Sequence, residues 1–177
     1  MMMQMNQQFD LAFNFLQNTG THLFLTGKAG TGKTTFLKKL KEVSPKRMIV
    51  VAPTGVAAIN AGGVTIHSFF QLPFGPYLPS ASREADQAKN FTNKFSRDKI
   101  NIIRSMDLLV IDEVSMVRAD LLDAISDVLC RYKDRTKPFG GVQLLLIGDL
   151  QQLAPVAKDD EWNLLKEHYP STFFFDS

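Results

Sequence analysis

Cys130 is the only cysteine in the chain. A lone cysteine excludes an internal disulfide and a multi-cysteine zinc site, and it agrees with a reducing compartment. Beside Val128 and Leu129, in a helical pattern, it reads as a small core hydrophobe. Long apolar runs are missing as well: none approaches the roughly 18 residues that a bilayer span requires. The opening "MMMQMNQQ" lacks the basic region and extended apolar core of a secretory signal. The expectation is an intracellular protein with no membrane partner. Charge of one sign is scarce too, since 20 Lys and Arg face 18 Asp and Glu for a net charge of +2. That balance is too even to announce a nucleic-acid binder, so such a function must rest on particular residues. Internal repeats and low-complexity tracts are absent.

What is present is the composition of a globular domain, 45% hydrophobic and 21% charged over 177 residues. "FDLAFNFL" places Phe9, Ala12, Phe13 and Leu16 at helical spacing, and "NTG" ends that helix. "HLFLT", "MIVVA", "DLLVI", "QLLLI" and "TFFF" follow as short apolar runs without alternation, which suits strands covered on both faces. Helix-compatible segments separate them: Thr34 to Glu42, about Asp86 to Arg104, and "RADLLDAISDVLCRY". The alternation predicts a wound α/β domain with a mainly parallel sheet and helices on both faces. "QLPFGPYLPSAS", with three prolines, reads as a surface loop or short insertion. Because a strand-like "TFFFDS" ends the chain with no helix after it, residues 1–177 are expected to be one domain of a C-terminally truncated fragment.

"LFLTGKAGTGKTT" carries the strongest single motif, Gly27 followed after four residues by Gly32, Lys33 and Thr34. Glycines at this spacing let backbone N–H groups curl around a phosphate, and the following helix N-terminus adds positive potential. The expected nucleotide contacts are Gly27, Ala29, Gly30, Thr31, Gly32, Lys33, Thr34 and Thr35, with the Thr34 hydroxyl on Mg²⁺. Asp112 and Glu113 end the apolar run "DLLVI", at the strand edge where such folds bind ligands. Asp112 suits the magnesium shell, and Glu113 suits the orientation or deprotonation of water. An Asn-Lys-x-Asp guanine reader is missing, so ATP is the expected nucleotide. "LLLIGDLQQLAPV" repeats the same architecture: an apolar strand, then Asp149, Gln151 and Gln152. An amide there can bond a terminal phosphate or attacking water, whereas in isolation "GDLQQ" reads as a helix cap with surface glutamines.

"GKAGTGKT", "APTGVAAINAGGVTIHSFF", "LLVIDEVSMV" and "LLLIGDLQQLAPV", in this order, resemble motifs I, Ia, II and III of superfamily-one DNA helicases. The likeness is strongest to the petite-integration-frequency (PIF) family, relatives of RecD-like enzymes, and it runs from about Phe9 to Ser177. The resemblance implies a RecA-like P-loop NTPase domain, the first of two motor domains, in a monomeric enzyme. It implies ATP-driven 5′-to-3′ movement on single-stranded DNA and unwinding of duplex or quadruplex junctions. Lys33, Asp112, Glu113 and Gln152 match the catalytic positions, with Gln152 as the γ-phosphate sensor. An adenine-reading glutamine is expected at Gln7 or Gln8. The expected DNA contacts are Pro53, Thr54 and Gly55 at a strand end, Thr65, His67 and Ser68, and Phe69 or Phe70 against a base. Phe74 or Tyr77 could face the strand being separated, or pack the loop down. Lys89, Lys94, Arg97, Lys99 and Arg104 read first as a solvated helix face. A bacterial source would place such a protein at the nucleoid. Ring-forming clamp-loader-type ATPases and non-catalytic nucleotide modules share part of this pattern, but "GDLQQL" and "PTGVAA" speak against the first and the intact acids against the second.

Overall fold

The computed structural model describes residues 7–78 and 95–177. Five strands, β1 (Leu23–Thr26), β2 (Met48–Ala52), β3 (Val64–Thr65), β4 (Leu108–Ile111) and β5 (Gln143–Gly148), form one sheet in the order β1-β5-β4-β2-β3. Every pairing is parallel. The helices are α1 (Gln7–Asn18), α2 (Lys33–Val43), α3 (Gly55–Ala61), α4 (Ile66–Phe70), α5 (Arg97–Ser105), α6 (Ala119–Tyr132) and α7 (Asp159–Leu165). None of the described helices is long and apolar enough to cross a membrane.

The unbroken apolar runs of β4 and β5 have a direct cause, because both faces of the sheet are covered. On one face Phe13 and Leu16 of α1, with Phe36, Leu37 and Leu40 of α2, meet Leu108, Val110, Leu145 and Ile147. On the other, Phe70 of α4, Ile103 of α5, and Ile125 and Leu129 of α6 meet Leu109, Ile111 and Leu144. Successive strand residues thus alternate between two apolar cores rather than between core and water. The chain leaves β1 for β2 by way of α2 on the first face, then returns through β4 to β5 with α4, α5 and α6 on the second. Opposite directions on opposite faces keep one crossover handedness, as parallel connections require. The topological switch point therefore falls at the C-terminal ends of β1 and β5, where the connections part to the two faces, the place where such sheets bind ligands.

The expected strand "TFFF" is corrected. Phe173 makes an isolated antiparallel bridge with Arg118, and Phe174–Asp176 is a 3-10 turn. Phe174 turns inward, its ring 5.3 Å from that of Phe24, while Phe173 and Phe175 stack on each other. Only Phe174 of the three enters the core, while Phe175 stays exposed, so this aromatic run does not form a strand. Of the helix expected from about Asp86 to Arg104, the part that falls in the described residues is α5, which the Ser96 hydroxyl caps by accepting from the Lys99 N–H at 3.2 Å. Lys89, Lys94 and the end of the proline-rich loop lie outside the described residues.

Candidate functional site

β1 delivers the chain at Thr26 into the glycine-rich loop, and α2 starts at Lys33. Gly30 and Gly32 have φ of 80° and 91°, in the left-handed region where side chains are strained. At Gly32 a Cβ would also press on the Phe9 ring of α1 at 3.3 Å. Phe9 in turn packs on Phe36 of α2, so α1 rides on the loop and carries Gln7 and Gln8 beside it. No side chain caps α2, which leaves its first N–H groups facing the loop's concavity. The Lys33 ammonium donates to the carbonyls of Gly27 and Lys28, so its charge stands within that concavity. Thr31 closes the turn by donating to the Lys28 carbonyl at 2.8 Å. Ala29, Thr34 and Thr35 stay exposed.

Asp112 and Glu113 follow β4 directly. Asp112 extends the ladder by donating its N–H to Val51, and its Oδ1 accepts the Glu113 N–H at 3.0 Å. Glu113 adopts φ 53°, ψ 43°, an uncommon conformation for a residue with a Cβ. The Asp112 hydrogen bond helps hold that tight turn. Burial pushes the Asp112 carboxyl above the usual carboxylate range, against the pull of Lys33 and Lys41. Glu113 is also pushed up, first by burial and then by the charge of Asp112, with Lys33 opposing and Asp149 adding to the rise. Lys33, Asp112, Glu113 and Asp149 therefore share one electrostatic neighbourhood, as the strand order requires.

Asp149, at the end of β5, is 6% exposed. Its Oδ1 accepts the Gln151 N–H at 3.0 Å and its Oδ2 accepts the Gln152 side-chain amide at 3.1 Å. The acid is thus the mount on which the exposed Gln152 is held. Gly148 makes this approach possible, since a Cβ there would meet Val114 and the Ser115 N–H at about 3 Å. Ser115 was not anticipated from the sequence. Its buried hydroxyl is the one such side-chain atom without a hydrogen-bond partner among the described residues.

The expected DNA contacts divide. Pro53, Thr54 and His67 come together in a groove of about 340 Å³ with Phe74, Met116 and Val156. Thr54 caps α3 by accepting from Ala57, and Thr65 caps α4 by accepting from Ser68. Gly55, Thr65 and Ser68 lie near this edge but do not line the groove. His67 Nδ1 donates to the Leu72 carbonyl at 3.2 Å, and its ring lies 4.7 Å from that of Phe74. Phe69 is corrected: it is 6% exposed, packed edge-on against the buried Phe70, with the Lys99 ammonium 3.5 Å from its ring centre. Both phenylalanines belong to the core and offer no free face to a base. Tyr77 is likewise buried. Met116 and Val156 carried no signal in the sequence, because only the fold brings their segments together.

The sequence profile of PIF1-like helicases matches residues 4–165. The chain is 38% identical over 146 residues to the ATP-dependent DNA helicase PIF1 of Candida albicans, covering 79% of this chain and 15% of that protein. It is 37% identical over 159 residues to the ATP-dependent DNA helicase RRM3 of Saccharomyces cerevisiae, covering 86% and 21%. Among solved structures, a Bacteroides Pif1 bound to single-stranded DNA superposes with a TM-score of 0.88 at 48% identity, over 98% of this chain and 38% of that one. A Bacteroides Pif1 in complex with ADP-AlF4 gives 0.90 at 48% identity, over 99% and 39%. The chain thus spans at most about two fifths of these proteins. On the match of motif order, sheet and overall superposition, it belongs to the PIF1-like helicase family.

Proposed function

We propose that this chain is the ATP-binding first motor domain of a DNA helicase that moves 5′-to-3′ on single-stranded DNA. The observation that carries the reading is the sharing of one sheet edge. Lys33, Glu113 and Gln152 follow the adjacent strands β1, β4 and β5, and of the groove residues Pro53 and Thr54 follow β2, the next strand over, while His67 follows β3 at the sheet's end. A nucleotide and a DNA strand bound there would lie on neighbouring strand ends, so a shift at one is felt at the other. Relatives solved with ADP-AlF4 and with single-stranded DNA support both halves of the reading.

Lys33 would exchange the carbonyls of Gly27 and Lys28 for phosphate oxygens, while the loop and the first turn of α2 direct N–H groups at the same anion. The Thr34 hydroxyl and the Asp112 carboxylate are hard oxygen donors. No group of three or more His, Cys, Asp or Glu among the described residues could hold a metal by itself. Two protein oxygens completed by phosphate and water suit Mg²⁺, which would neutralise charge between the β- and γ-phosphates. Glu113, whose carboxyl burial pushes up, would take a proton from the attacking water. Gln152 would contact the γ-phosphate or that water from its mount on Asp149, and Gln7 or Gln8 would read adenine. A second motor domain would supply the arginines that neutralise γ-phosphate charge, worth about 10³ to 10⁵ in rate. The 177-residue chain alone should therefore bind Mg-ATP weakly, hydrolyse it slowly and unwind nothing. Forked duplexes and quadruplex junctions are the proposed substrates.

The test is ATP hydrolysis by the complete protein with and without single-stranded DNA. Lys33→Ala should abolish turnover, and Glu113→Gln should retain ATP binding while losing about 10² to 10⁴ in rate. Normal hydrolysis by Glu113→Gln would remove it from the water-handling role.

A further inference from the structure

The Arg118 side chain, 14% exposed, holds three separate segments of the chain at once. Its Nε and one terminal nitrogen form a bidentate pair with Asp120 at 2.9 and 2.8 Å, and its other terminal nitrogen reaches Glu161 of α7 at 2.9 Å. The nitrogen facing Asp120 also donates to the Gly75 carbonyl at 3.1 Å. Asp120, 1% exposed, takes the Tyr77 N–H at 2.8 Å as well. The second half of the loop over residues 71–78 is therefore tied, at Gly75 and Tyr77, to the start of α6, and through Glu161 to the segment that follows Gln152. A planar five-donor guanidinium can bridge this set; a lysine ammonium cannot. Buried ion networks of this kind contribute little net stability compared with apolar packing, so their value lies in position.

What the network positions is Phe74. Its ring is 88% exposed, so it does not pack the loop down, yet it is fixed next to Gly75 and held 4.7 Å from the His67 ring on the rim of the groove. A large aromatic ring held at the rim of a groove beside a second ring, with most of its surface open, is available to a flat partner. Pro53 and Thr54, also in the lining, offer contacts of the backbone-phosphate kind, and the Arg118–Glu161 pair borders the same groove, so among these residues Phe74 presents the most exposed ring to a base. We infer that Arg118 is a positioning residue that fixes the Phe74 ring as a stacking platform for one nucleobase of the bound strand. The inference rests on the strand-binding reading of this groove. Stacking on a ring face tolerates every base, so the platform grips without selecting sequence.

The experiment compares binding of a fluorescent oligothymidylate and an abasic strand of equal length to the complete protein, by anisotropy. Phe74→Ala should bind the thymidylate about tenfold more weakly and the abasic strand within about twofold of wild type, and Phe74→Trp should restore the difference. Arg118→Gln should reproduce the base-dependent loss with ATP affinity unchanged, and the double variant should lose no more than either single one. Equal binding of thymidylate by Phe74→Ala and wild type would overturn the inference and leave the strand-binding reading standing. So would an Arg118→Gln loss of the same size on both strands. Failure of the wild-type protein to bind either strand would overturn the strand-binding reading itself. Phe74 is a surface position, so its two variants decide the matter even where Arg118→Gln folds poorly.

Discussion

Gln152 donates its side-chain amide to the buried carboxylate of Asp149 at 3.1 Å and its backbone N–H to the Asp149 carbonyl at 3.0 Å. The acid at the end of β5 thus holds the amide in place, and in the proposed reading the two residues should separate on mutation. Gln152→Ala removes an exposed arm, so ATP affinity should stay within about twofold while DNA-stimulated turnover falls about tenfold or more. Asp149→Ala removes the acceptor of two donors on exposed glutamines, which water can then meet, and should in addition lower stability by about 1 kcal/mol. Urea unfolding beside steady-state hydrolysis distinguishes them. Unchanged stimulation in Gln152→Ala would reduce that residue to a surface amide.

Thr54 caps α3, and in the proposed reading its hydroxyl serves a second task. Its oxygen accepts from Ala57 and so caps α3, while its proton remains free to meet a phosphate in the groove. Thr54→Ala should cost about 1 kcal/mol of stability and weaken single-stranded DNA binding, and Thr54→Ser should keep both. Calorimetric melting and anisotropy on the same samples check the pairing; DNA affinity unmoved by Thr54→Ala would leave the residue a cap alone.

The start of β2 is pinned to the start of β4 by Arg47, whose guanidinium makes two 2.9 Å contacts with Asp107 and whose N–H adds a third at 3.0 Å. The Arg47 hydrogen bond is the main cause that draws the Asp107 carboxyl from 3.8 to about 2, against a rise from burial. A depressed carboxylate contributes stability above its unfolded value and loses it as pH falls through the folded one. Asp107→Asn should therefore be less stable than wild type at pH 7, with a gap that closes between about pH 4 and pH 2. Urea midpoints across that range measure it. A gap of constant size would assign the effect to geometry instead of charge. Since this pair lies at the opposite sheet edge from Lys33 and Glu113, ATP turnover at neutral pH should be unaltered.

The sequence discloses what is local. The phosphate loop is contiguous, so Gly27 to Thr34 could be read as a unit. β2, β4 and β5 announce themselves because burial on both faces demands unbroken apolar runs. β3 has two residues, α4 has five and α3 has seven, too few to display a period, and none of them was legible. Phe69 looked free for a base because nothing nearby in sequence covers it. Its partner Lys99 stands thirty positions on and reaches it only through the fold. The groove shows the same limit: Pro53, Thr54 and His67 share one motif, whereas Phe74, Met116 and Val156 arrive from three other segments.

The most direct measurement is strand separation by the complete protein, with ATP, on a duplex carrying a 5′ single-stranded tail and on its 3′-tailed counterpart. Unwinding of the 5′-tailed substrate alone, abolished by Lys33→Ala, is the predicted result. Equal unwinding of both, preference for the 3′ tail, or activity that survives Lys33→Ala would contradict the account.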